Sequence, residues 1–463
     1  MSENMNYQIE VDKIKNSYIT KSNTIQHNTG SFIKLLPYVT TKGKQMVDFS
    51  GVIGAFSRII CEKELKADVN TEELVDNIVD MIADFDKHES LESFKDIINS
   101  MFITLDGNLV NFSLKTINYI NSSNDDVKFA EFLYSTLFDK ELKLQVKKNY
   151  NKEEINILSN LIFKALPELK DKDYKDDKYE CYLPFIKELF TKDFKFLLEN
   201  EELYKNNLQR FLEYYFMFYV SQLCIKLNQF EKADVTIPET LYYTLAWEST
   251  SKKRTGYKFG FDLLTNKVSN IFSHAVILDF FNCNNSEDIF TYKKMFNIFE
   301  EMTEEEIDNS RINELYDFYI NIITDVRWED AYLSHRDSGN KVFNILLDLF
   351  YAVDYQFNNT ARHDPYKNYK DKFINFVTKS FGKRRGSLGY TLNLNEEDII
   401  LLTKICINNN ERLKLSSLFY EFKRRGIAFD KDSQNRIVQL YEKLNLLEKK
   451  SDSGDAQYVR SIL

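Results

Sequence analysis

Apolar residues recur at three- and four-residue spacing along most of this chain. After Asn70, the residues Leu74, Ile78, Met81, Ile82 and Phe85 fall on one helical face, and Ile312, Leu315, Tyr316 and Tyr319 do so again. Such stripes predict amphipathic helices that pack through them. Asn70 to Glu73, Asn151 to Glu154 and Thr303 to Glu306 have the spacing of capping boxes, in which two side chains cover orphan amides at a helix start. The run Phe211 to Ile225 is apolar nearly throughout, interrupted by Glu213 and Gln222. It is shorter than the roughly 20 residues that a bilayer-spanning helix needs, so it predicts a buried core helix and no membrane association. Lys170 to Lys178 and Asn358 to Lys370 are polar and read as loops.

Composition supports helix as the default. The chain has 463 residues with 28 Tyr and 37 Phe, enough apolar surface to offset chain entropy, but only 13 Gly and 5 Pro. Few turn formers argue against a β-sandwich. A solenoid is not expected either, because no period of about 20 to 50 residues repeats. The formal charge of -10 disfavours a chain that coats nucleic acid or anionic lipid along its whole length. Met1 to Asp12 lacks the basic end and apolar centre of a secretory signal, and Cys61, Cys181, Cys224, Cys283 and Cys406 are scattered and form no CxxC pair. A reduced cytoplasm is the expected location.

Charge is uneven. Residues 381–463 carry 15 Lys and Arg against 11 Asp and Glu, while the rest carries 46 against 60. Gly382, Gly386 and Gly389 surround Lys383, Arg384 and Arg385, which places the start of a new module at 381. Asn395 precedes a helix with Ile399, Leu402, Ile405 and Cys406 on one face. Leu415, Leu418, Phe419 and Phe422 predict a second helix that ends in Lys423, Arg424, Arg425 and Gly426. Asp430 or Asp432 caps a third, which buries Ile437, Leu440, Tyr441 and Leu444. Leu446 to Lys450 and Ala456 to Ile462 flank a Gly-containing turn, a hairpin signal.

Three helices and a hairpin follow the order of a winged helix, whose third helix enters a DNA groove. Opposite its apolar face lie Lys431, Asn435 and Gln439, with Gln434, Arg436 and Lys443 at the flanks. The candidate DNA-contact set is Lys383, Arg384, Arg385, Lys423, Arg424, Arg425, Gln434, Asn435, Arg436, Gln439, Lys443, Lys449 and Lys450. Asp432, Glu442, Asp452 and Asp455 oppose phosphate on the same surface, and winged helices also dock proteins. The expected fold is therefore mainly α, a large helical body with a C-terminal winged-helix-like module. The regions are 1–170 and 171–380, both helical, and 381–463.

The tail Lys443 to Leu463, KLNLLEKKSDSGDAQYVRSIL, with Arg425-Gly426-Ile427 and Asp430 before it, resembles the C-terminus of the DptG family. Glu239 to Phe261, ETLYYTLAWESTSKKRTGYKFGF, and Leu264 to His274 are similar to that family too. The resemblance implies a subunit of DNA phosphorothioation-dependent restriction, a bacterial defence against DNA lacking the sulfur modification. It further implies DptF-like and DptH-like partners that hydrolyse ATP and translocate DNA, with this chain as an accessory or scaffold. It carries no catalytic motif to transfer.

The residues themselves fit a non-catalytic chain. No GxxxxGK[ST] phosphate loop is present, and Gly51-Val52-Ile53-Gly54 reads as close helix packing. His27, His88, His274, His335 and His363 form no HExxH, so neither metal nor cofactor is expected. His363-Asp364 or His335-Arg336-Asp337 with Ser334, Ser338 or Cys283 would need spatial convergence to make a triad, and polar loop chemistry explains them. Two other functions stay open. One is a Mg²⁺-dependent nuclease using Glu239, Glu248, Lys252 and Lys253, or Asp325, Glu329 and Asp330 near Arg327. The other is a winged-helix transcription regulator. Trp247 to Tyr257, where Lys252, Lys253 and Arg254 lie between aromatics, suits either a nucleic-acid surface or partner docking.

Overall fold

The computed structural model describes residues 7–20, 24–28, 30–39, 46–82, 88–152, 156–175, 178–286, 288–331, 336–449 and 457–462. The fold is mainly α, as the apolar periodicity predicts. Helices used below are α1 (Ser50–Cys61), α2 (Asn124–Leu137), α3 (Pro184–Glu199), α4 (Glu201–Leu227), α5 (Ile271–Asn282), α6 (Lys341–Asn359), α7 (His363–Phe381), α8 (Glu396–Ile407), α9 (Leu415–Arg424) and α10 (Lys431–Lys443).

The centre of the molecule is α4. Its residues from Phe211 to Leu227 are all buried, because a helix apolar on every side must be surrounded by protein. The two polar interruptions are both hydrogen-bonded. The Gln222 side chain donates to the Glu239 carbonyl at 2.9 Å and accepts from the Glu239 amide at 2.6 Å. Glu213 accepts from Arg210 at 2.9 Å. Among the described residues no helix is long and apolar enough to cross a membrane. Around α4 a single large core takes in residues from Tyr7 to Val459.

The glycines of the 51–54 motif pack α1 against its neighbours. A Cβ on Gly54 would collide with the Ile120 carbonyl, and one on Gly51 with the Asp126 carboxylate at the start of α2. A second, smaller core gathers Leu74, Val75, Ile78, Ile98, Phe102, Ile162 and Leu166. The first predicted stripe holds for Leu74 and Ile78; Ile82 packs against the cluster, Met81 is exposed, and Phe85 lies outside the described residues. In the second stripe Ile312, Leu315 and Tyr319 are buried.

Of the three predicted caps, Thr303 and Glu306 form the full box, and Asn70 accepts from the amides of Glu72 and Glu73. The third is displaced. Glu154 lies outside the described residues, and the helix begins at Ile157, capped by Asn156. The loop expected at 358–370 is also corrected. Only Thr360 to Arg362 separate α6 from α7, and Pro365 sits in the first turn of α7, where its missing amide costs no intrahelical hydrogen bond.

In the C-terminal region, Asn395 and Asp398 make a capping box for α8, and Asp430 rather than Asp432 caps α10. The strands of the hairpin, Leu447–Lys449 and Gln457–Arg460, pair antiparallel. A third strand that sequence did not predict, Arg412–Lys414, lies on the other side of Gln457–Arg460. The turn between the hairpin strands, with Asp452 and Asp455, falls outside the described residues.

The boundary at 381 is not a separation. Leu241–Tyr242 pairs parallel with Ile427–Ala428, and Thr244–Leu245 pairs parallel with Tyr390–Leu394, which also pairs with Gly382–Arg384. The amides of Leu241, Tyr243 and Ala246 donate across the boundary, to the carbonyls of Gly426, Ala428 and Leu394. Arg210 of α4 adds a bidentate bond to Asp398 of α8, at 2.7 and 2.9 Å. The basic tail is thus seated on the body by shared strands and ion pairs.

Candidate nucleic-acid interface

The start of α10 is fixed by one cation. The Asp430 side chain accepts from the Ser433 amide, as an N-cap does, and also from the Gly256 amide at 3.2 Å. Arg254 donates to both its oxygens, at 3.0 and 2.5 Å, and reaches the Glu248 carboxylate at 3.3 Å and the Ser433 hydroxyl at 2.8 Å. Ser433 in turn donates to Glu248 at 2.8 Å. Burial opposes ionisation of Asp430, but the bonds from Arg254 and from the Ser433 and Gly256 amides outweigh it and hold its carboxyl below the usual range.

This bundle holds the loop after Trp247 beside α10. Between them runs a groove of about 470 Å³, walled by Glu248, Ser249, Thr250, Ser251 and Arg254 on the loop and by Asp432, Asn435, Arg436 and Gln439 on the helix. Asn435, Arg436 and Gln439 are exposed, and so are Lys252 and Lys253 on the loop and Lys431 on the helix. Arg436 donates to the Gln439 side-chain oxygen at 3.1 Å, which aligns the two on one face. The arrangement offers amides and a guanidinium, types that read base edges, next to hydroxyls and ammonium groups, types that hold phosphate. Asp432 is the carboxylate on the exposed side of this groove.

The predicted contact residues divide. Asn435, Arg436 and Gln439 converge on the groove. Lys443 and Lys449 are exposed further along, with Lys449 held by Glu442 at 2.9 Å, and Arg384 is exposed on its strand. Gln434 is half-buried and donates to the Phe429 carbonyl at 3.0 Å. Lys423 and Arg424 line a different cavity, and Arg424 pairs with Glu421 at 3.0 Å. Lys450 lies outside the described residues.

Three members of the set are corrected. Lys383 donates to the Ala246 carbonyl, and Arg385 donates to the carbonyls of Glu248 and Leu245 at 2.6 and 2.8 Å. Both cations donate to carbonyls at and just beyond the end of the short Thr244–Leu245 strand. Arg425 has a fully buried side chain and donates to Asp193 of α3 at 2.7 and 2.5 Å. None of the three is free to meet phosphate.

Sequence reasoning flagged Lys252, Lys253 and Arg254 but missed that their loop faces α10. The acidic partner that gives Arg254 its role, Asp430, is 176 residues away. No local pattern carries that information.

Three of the five candidate nuclease carboxylates, Glu239, Glu248 and Asp325, are occupied by protein partners. Glu239 accepts from Lys226 at 2.7 Å and Gln229 at 2.9 Å, Glu248 belongs to the Arg254 bundle, and Asp325 accepts from Gln356 at 2.8 Å. Glu329 and Asp330 are exposed. Among the described residues no group of three or more His, Cys, Asp or Glu is placed to hold a metal ion. For the imagined triads, burial pushes the Cys283 thiol up to about 12, the reverse of nucleophile activation, and Ser338 donates to the Asn340 carbonyl. His363 and Asp364 are exposed in the first turn of α7, while Ser334 and His335 lie outside the described residues.

No known family model matches the chain, and no curated protein matches it.

Proposed function

We propose that the chain is an accessory, non-catalytic subunit of a bacterial phosphorothioation-dependent restriction complex in the cytoplasm, joining DNA to DptF-like and DptH-like ATPases. The observation that carries the DNA half of this reading is the groove between α10 and the loop Glu248 to Arg254. Asn435, Arg436 and Gln439 line it, and Lys252, Lys253 and Lys431, next in sequence to lining residues, are exposed. In this reading residues 381–463 are a winged-helix-like module. Their three helices and three-stranded antiparallel sheet, with the hairpin last, support it. The restriction half rests on the resemblance of Glu239 to Phe261 and of the tail to the DptG family.

The way the module is seated suits a linker. Strand pairs at 241–245 and the Arg210–Asp398 and Arg425–Asp193 contacts tie the C-terminal region to the body, with α4 and α3 among the elements engaged. The test is co-expression with the two ATPase subunits and purification on a tag carried by this chain. A stoichiometric three-protein complex that retains DNA is the expected result. A chain that purifies alone and binds one short duplex selectively would replace the reading with transcription regulation. Plasmid cleavage lost on Glu248→Gln or Asp325→Asn would replace it with a nuclease.

A further inference from the structure

Two of the most exposed large apolar side chains lie on one cavity. Ile237, in the segment after α4, is 56% exposed, and Tyr420 on α9 is 63% exposed. Both line a cleft of about 370 Å³ whose floor includes Phe185 and Leu189 of α3, both buried. Ordinary soluble surfaces carry isolated apolar residues, but an aliphatic and an aromatic side chain flanking a concave apolar floor form a seat. Its position matters as well. The cleft spans the body, through α3 and the 236–240 segment, and the C-terminal region, through α9.

The rim is cationic on a chain of net charge -10. Lys192 and Lys423 are exposed at the cleft, Arg424 joins them while paired with Glu421, and Glu188 is the carboxylate among the lining residues. Apolar floor, aromatic anchor and basic rim together select a partner with apolar side chains on one face and carboxylates beside them. Single-stranded nucleic acid would also meet the cations and Tyr420. Ile237, Leu189 and Pro238 offer it no ring to stack on, so the lining favours a peptide.

We infer that this cleft docks an acidic amphipathic helix of a partner protein, with apolar side chains seated between Ile237 and Tyr420 and carboxylates meeting Lys192 and Lys423. The inference is independent of the groove at α10.

The probe is a fluorescein-labelled helical peptide of about 15 residues, long enough to hold a helix in water, with Leu at i and i+4 and Glu on the flanks. A second peptide replaces every Glu by Lys, and labelled oligo(dT) is the third. Anisotropy is read with the full chain. The Glu peptide should bind saturably and the Lys peptide at least about tenfold more weakly. Ile237→Ser and Tyr420→Ser should each abolish binding, and Lys192→Glu with Lys423→Glu should invert the preference toward the Lys peptide. All variants alter exposed side chains, and unchanged thermal unfolding by circular dichroism confirms that they fold. Absence of saturable binding by the Glu peptide, equal binding of both peptides, or binding untouched by Ile237→Ser and Tyr420→Ser overturns the inference. Tighter binding of oligo(dT), lost in the same variants, would assign the cleft to nucleic acid and overturn it too.

Discussion

Arg425 and Asp193 form a bidentate ion pair between positions 232 residues apart, with both side chains shut off from solvent. Tyr215 donates to the same carboxylate at 2.6 Å, and Tyr214 donates to the Arg425 carbonyl at 2.5 Å. A sequence run that looks like a phosphate-binding patch is here an internal bolt between α9, α3 and α4.

Removing one half of the bolt leaves the other half charged and buried. Arg425→Ala should therefore destabilise the chain by about 3–5 kcal/mol, and Asp193→Ala by less, because Glu421 still accepts from Arg425 at 2.8 Å. The double variant should cost less than the sum of the two by at least about 1 kcal/mol. Urea unfolding of the four proteins measures it. Full additivity would mean that the two groups do not interact.

Arg254 holds two carboxylates, Glu248 and Asp430, and the cap of α10 depends on the second. Arg254→Ala should lower stability by about 2–4 kcal/mol, discounted from a fully buried pair because the group keeps some solvent access. It should also weaken DNA binding, although Arg254 need not touch DNA, because the groove loses its loop wall. Arg254→Lys, which keeps the charge and loses the fork, should recover less than half of the stability.

Burial and the Arg362 cation push the His27 imidazole down to about 3, and burial with Lys267 does the same to His274. Both are neutral in the folded protein at neutral pH, and both would take up a proton on unfolding below pH about 6.5. A depressed folded value means that the unfolded chain binds more protons. Stability is then full above pH about 6.5 and falls as pH drops toward 3, by up to about 1.4 kcal/mol per pH unit for each histidine. His27→Gln should flatten the stability slope between pH 6 and 5, read by denaturant titration at several pH values. An unchanged slope would show that His27 is not held neutral in the folded chain.

Helices were legible where stripes and caps agree. Asn395 with Asp398 and Thr303 with Glu306 start helices as their spacing predicts, and the all-apolar run becomes the centre of α4. The polar first turns of α7 were not legible, because Asn358 to Lys370 has loop composition, and only packing of Tyr366 and Tyr369 settles it as helix. Two-residue strands carry too short a pattern to read. The charge runs misled for a geometric reason. In Lys383-Arg384-Arg385 the strand ends at Arg384, so Lys383 turns to Ala246 while Arg384 faces water, and the chain turns at Arg385, whose side chain reaches the carbonyls of Leu245 and Glu248. In Lys423-Arg424-Arg425, successive positions turn around a helix end, so Lys423 is exposed while Arg425 points into α3.

If the groove at α10 contacts DNA, duplex affinity falls with salt in proportion to the phosphates that its cations neutralise. Binding of a labelled duplex is measured across a salt series for the wild-type chain, for Lys252→Ala with Lys253→Ala, and for Arg436→Ala. Each phosphate contact removed should lower the slope of log K against log salt by about one, and Lys383→Ala should leave it unchanged. No duplex binding at low salt, or a slope that is the same in all the variants, would rule out DNA contact at the groove.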